Sequence, residues 1–161
     1  IYLSISHSML AGFIIGWGKP VPVDPSNLRH PRRDDTLIAL AGPGMNFILA
    51  FLLMGLARAG LALSHSQGVL QTAGGLMINA GLLLVTVNLV LAFFNLIPIP
   101  PLDGSHVLKN AIGMSYETYW RLTQYGFIAI ILVLQVPGVR NALNTVTRGT
   151  TAFLGRIYGI G

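Results

Sequence analysis

The chain has 161 residues, of which 53% are hydrophobic and 9% charged, with a net charge of +5. Soluble globular proteins carry roughly 25% charged residues, so this composition excludes an ordinary water-soluble domain and points to a membrane protein. With no cysteine there is neither a disulfide nor a thiolate nucleophile, and a metal would have to be held by His, Asp or Glu. The positive charge is not arranged as a basic stripe interleaved with aromatics, so no nucleic-acid partner is expected; it suits loops beside anionic lipid.

A membrane-spanning helix needs about 20 largely apolar residues. Residues 1–18 carry no formal charge but include Ser4, Ser6, His7 and Ser8, and form the weakest of four expected spans. Residues 19–35 hold prolines at 20, 22, 25 and 31 and read as an extended, non-helical loop, because each proline lacks an amide donor and restricts its predecessor. Its Arg29, Arg32 and Arg33 would lie at headgroup level. Residues 36–57 are uncharged and read as a clear span. The uncharged run 59–102 divides at the polar patch 64–68, leaving a third span at 73–97. A fourth covers 122–139 and ends at Pro137-Gly138. The tail, 141–161, is expected to be a short interfacial helix or disordered. The fold class is therefore all-α, a polytopic helical membrane protein with about four transmembrane helices in one membrane-embedded domain, 1–161.

Loops 19–35 and 103–121 then share one side and hold Lys19, Arg29, Arg32, Arg33, Lys109 and Arg121, against Arg58, Arg140, Arg148 and Arg156 opposite. The excess of basic residues favours a cytoplasmic location for both loops.

The stretch "NLIPIPPLDGSHVL", residues 95–108, concentrates the chemistry. Prolines 98, 100 and 101 end a helix at membrane depth, where irregular backbone must be buried in protein or line a watery cavity. Asp103 follows, the only acid between Asp35 and Glu117. A carboxylate here costs several kcal/mol unless it is paired, hydrated or bound to a cation. Two readings are open: the N-cap of a helix beginning at Gly104 or Ser105, or a cation-binding carboxylate turned toward the bundle interior. Asn46, Asn88 and Asn95 likewise either bond neighbouring helices or line a site. His106, three residues beyond Asp103, has a spacing that can share its helix face; we expect it to point away from a metal.

Three stretches together resemble the site-2 protease family of intramembrane zinc metallopeptidases, in its compact prokaryotic form. "NLIPIPPLDGSHVL" is similar to that family's Asn-x-x-Pro…Leu-Asp-Gly signature. "GWGKPVPVDPSNLRHPRRDD" resembles its Gly-Trp-Ala-Lys-Pro-Val-Pro-Val segment, and "LIALAGPGMNFILAF" its Gly-Pro-x-x-Asn helix. The resemblance implies a zinc ion held by the two histidines of an HExxH helix and by an aspartate matching Asp103, with the HExxH glutamate as general base. It implies that Asn95 positions substrate and that Asn46 is structural or substrate-facing. The partners would be a transmembrane protein substrate and the lipid bilayer, in a prokaryotic plasma membrane.

These 161 residues contain no HExxH; at His7 the run reads "HSMLA". The chain is therefore expected to be the C-terminal part of a longer protein, inactive by itself. The alternative is a non-catalytic family member serving with partner subunits in a larger membrane complex.

Overall fold

A computed structural model of the protein describes residues 29–160. The expected span 1–18 and the loop up to residue 28 lie outside the described residues. What is described is helical, in the order α1 (Pro31–Ser64), α2 (Val69–Asn95), α3 (Asp103–Ala111), α4 (Tyr116–Thr123), α5 (Gly126–Gln135) and α6 (Pro137–Tyr158).

Helix α1 begins earlier than expected. Residues 31–35, assigned above to a non-helical loop, form its first turn. Pro31 occupies the first helical position, where its missing amide costs nothing and its fixed φ suits the helix. The backbone amide of His30 donates to Asp34 Oδ2 at 3.0 Å, closing the start. The helix also runs past Ala57: Arg58 marks a polarity boundary, but nothing in the following residues breaks a helix until the turn at 65–68. At 34 residues it is about 51 Å long, well beyond a bilayer core of about 30 Å. Gly68, at φ 67° and ψ −133°, takes a positive-φ conformation open chiefly to glycine, and α2 doubles back from it.

Small residues bring α1 and α2 into backbone contact. A Cβ on Gly74 would lie 2.5 Å from Ser64 N and 2.6 Å from the Gly60 carbonyl; one on Gly81 would lie 3.0 Å from Ala57 Cβ. Lipid offers no hydrophobic drive between helices, so such close packing is a principal source of their association. Further along, Ala50, Met54, Val85, Leu89 and Leu154 form the core, with Phe47 and Phe93 edge to face at 5.3 Å.

The expected fourth span, 122–139, is broken. Pro137 cannot donate to the preceding turn and holds Val136 extended at ψ 117°, so α5 stops at Gln135 and α6 leaves at 82°. The tail is helical rather than disordered, and Leu154 and Tyr158 of α6 pack on the α1–α2 pair. Among the described residues, two helices are long and apolar enough to cross a membrane, or three if the bent pair counts as one. The protein is an all-α integral membrane protein.

Candidate functional site

The site is built where α2 ends. Asn95 is the last residue of α2, and Leu96 still donates to the Ala92 carbonyl at 3.2 Å. Pro98 has no amide, and the chain then folds through short turns, Ile99 N to Ile97 O at 2.8 Å and Leu102 N to Ile99 O at 2.9 Å. Two glycines accept this loop. A side chain on Gly104 would strike the Leu96 carbonyl, and one on Gly126, at the start of α5, would strike the Pro100 carbonyl. The proline loop is thus wedged between the first turns of α3 and α5.

Asp103 is the first residue of α3. The N-cap is Leu102, and no side chain caps the helix, so the Asp103 carboxylate is not spent on a terminal amide. The backbone amide of Ser105 is served instead by the Leu102 carbonyl at 3.0 Å. Asp103 faces α1: its Oδ2 lies 3.1 Å from where a Cβ on Gly42 would be. Half-burial pushes the Asp103 carboxyl above its ordinary range, and nearby His106 opposes that shift.

Asn46 lies one turn beyond Gly42 on α1. Asn46 and Asn95 are both half-buried, and neither makes a side-chain hydrogen bond with the described residues. Asn88 differs: its amide donates to Leu84 O at 2.8 Å, within its own helix. His106 turns Nδ1 toward Asp35, 3.1 Å from Oδ1, and its ring lies tilted against that of Tyr119, centroids 5.0 Å apart. His30 and His65 stand at the two ends of α1, as N-cap and C-cap. His7 lies outside the described residues.

A cluster that the sequence did not reveal joins α1 to α3 and α4. Asp35 receives Lys109 Nζ at 2.8 Å, Asn110 Nδ2 at 2.7 Å and His106 Nδ1. Asn110 also reaches Thr36 Oγ1 at 2.9 Å. Buried Lys109 sits 4.9 Å from the Tyr119 ring centroid, and the Tyr119 hydroxyl meets buried Ser105 Oγ at 3.0 Å. Burial raises the Tyr119 phenol above its ordinary value, while the Ser105 hydrogen bond works against that rise. The one available signal was scarcity: in a chain with five acids, Asp35 adjoining the apolar run was an acid in need of a partner.

As a metal centre the described residues are incomplete. No three His, Asp or Glu side chains among them converge closely enough to hold an ion. Zinc in proteins takes at least three protein ligands, and Asp103 offers one, so these residues alone do not fit a zinc ion.

The family description "Peptidase family M50" matches residues 62–134, a range that includes Asn95, the proline loop and Asp103. The Bacillus subtilis (strain 168) protein described as "Putative zinc metalloprotease YwhC" is 34% identical over 134 residues, covering 80% of this chain and 58% of that protein. The chain thus spans somewhat more than half the length of this relative. No solved structure matches it. With the proline-loop aspartate inside the matched range and this relative sharing most of the chain, the protein belongs to peptidase family M50, the site-2 protease family.

Proposed function

We propose that the chain is part of a zinc intramembrane metallopeptidase that cleaves a peptide bond in a transmembrane protein substrate. The observation that carries this reading is the Asp103 carboxylate, uncommitted to any cap, half-buried and facing a helix position without a side chain. Asp103 would be one zinc ligand. Two histidine ligands and the general-base glutamate would come from an HExxH helix elsewhere in the complete protein. Zinc, when bound, supplies Lewis acidity that the side chains of this chain lack. Asn95 and Asn46, both without hydrogen-bond partners among the described residues, would meet the extended backbone of the substrate, Asn95 as the positioning group and Asn46 beside it. The Asp35–Lys109 ion pair supports one side for segments 19–35 and 103–121, and the basic-residue excess supports the cytoplasmic face of a prokaryotic plasma membrane.

The test is metal analysis together with in-membrane cleavage by the full-length protein. Asp103→Ala should lower zinc content and abolish cleavage. Asn95→Ala should keep zinc and reduce turnover. Residues 1–161 alone should be inactive with or without added zinc. Wild-type cleavage by Asp103→Ala with unchanged zinc overturns the assignment, and a parent protein with no HExxH anywhere would favour a non-catalytic subunit.

A further inference from the structure

On α1, Asp35, Ala39, Gly42 and Asn46 recur at intervals of four, three and four residues, and so lie on one helix face. Helix α3 lies antiparallel along that stripe. Its first residue, Asp103, meets Gly42, and its last turn, with Lys109 and Asn110, meets Asp35. Seven residues separate the contact points on each helix, about 10 Å in both cases, so the two contacts fit one register. Between them Ala39 is buried and carries only a methyl group, which selects no particular register.

We propose that Asp35 is the positioning residue of this site: by gathering Lys109, Asn110 and His106 it fixes the register of α3 on α1, and thereby holds the Asp103 carboxylate over Gly42.

The physical case is the difference between the two ends. At Gly42 the contact is a carboxylate against a bare helix backbone, which resists compression but does not oppose sliding. At Asp35 three donors from α3 converge on one carboxylate, and one of them is a buried ammonium. Charge-assisted bonds of this kind are the stronger, geometrically demanding ones. A shift of α3 by one residue would strand Lys109 without its counter-charge among buried groups, the costly outcome for a buried ion pair. The alternative register is therefore closed at the Asp35 end, far from the residue it protects. That Asp103 needs such placement for catalysis rests on the function proposed above; the register itself does not.

The experiment reads the register directly. These 161 residues hold no cysteine, so once any cysteine elsewhere in the full-length protein is replaced, nitroxide labels can be placed at Ile38→Cys on α1 and Leu108→Cys on α3, both exposed, in lipid nanodiscs. A second pair, Leu52→Cys and Leu83→Cys, reports α1 against α2. In Asp35→Ala the distance distribution of the α1–α3 pair should broaden about twofold, as for an element released from one fixed arrangement, while the α1–α2 pair keeps its wild-type distribution. Asp35→Glu, which keeps the charge, should restore most of the sharpness. Asn110→Leu, which strands no charge, should broaden the same pair less than Asp35→Ala. An unchanged α1–α3 distribution in Asp35→Ala overturns the proposal, as does equal broadening of both pairs, which would make the cluster a general brace. Zinc content of the same variants separates the two claims: lost register with full zinc leaves Asp35 its role and removes Asp103 from the metal.

Discussion

Replacing Gly104 by alanine tests whether Asp103 acts through its placement. A Cβ there would overlap the Leu96 carbonyl and stand 2.8 Å from the Ile97 carbonyl. Ordinary contacts between non-bonded heavy atoms begin near 3.5 Å, so the two backbones must part by about 1 Å. Leu96 is poorly able to yield, because its amide is bonded to Ala92 and Pro98 stiffens the chain two residues on. The first turn of α3 must therefore retreat, carrying Asp103 with it. Overpacking of this kind costs about 1–3 kcal/mol of stability. A misplacement of about 1 Å in a reacting constellation costs on the order of 100-fold in rate. The expected result is a full-length protein that remains folded, with a modestly lowered unfolding midpoint and cleavage of a membrane-embedded reporter reduced about 100-fold. Gly149→Ala, where nothing lies within 4 Å, serves as the control and should leave both unchanged. Wild-type cleavage by Gly104→Ala would refute the argument that this glycine sets the position of Asp103.

Two further outcomes follow from neighbouring geometry. Gly74→Ala, whose Cβ would lie 2.5 Å from Ser64 N, should destabilise the protein by about 1–3 kcal/mol in thermal unfolding, whereas Gly75→Ala, with nothing within 4 Å, should be neutral or slightly stabilising. The Asp103 carboxyl is raised by burial, so its contribution to stability is present below the ordinary carboxylate range and is lost as pH climbs through the raised value. In chelator-treated protein at neutral pH, Asp103→Asn should therefore melt no lower than wild type, although it would be a poor metal ligand; a clearly lower midpoint would refute the sign of that effect.

Much of the site was legible in the sequence because helix breakers and charges are scarce in a membrane chain. Three prolines followed by an acid and a glycine announced both an unwound segment and the group it carries. The partner of that acid was not legible. Gly42 has no side chain to signal a role, and which helix faces α3 is decided by tertiary packing. Asp35 was submerged in a run of arginines and looked like loop charge. Two of the errors in element boundaries share one cause. Pro31 was read as part of a non-helical loop and Pro137 as the end of a span, yet each opens a helix, since the first position of a helix has no use for an amide. Arg58 was read as the end of a helix when it is only the end of an apolar stretch.

The seam between α1 and α2 grades in size from one end to the other. At the turn, glycine meets glycine at positions 60 and 74; next come Ala57 and Gly81, then Met54 and Val85, and finally Phe47 against Phe93. The hairpin is consequently shaped like tongs, with its fulcrum at the turn and its jaws beside the proline loop. Bulk added at the fulcrum is multiplied by the length of the arms, so a methyl group near Ser64, remote from Asp103, would alter the gap at the jaws more than the same methyl placed between the phenylalanines. The spacing of α1 and α2 beside the proline loop is thus governed from the far end of the hairpin.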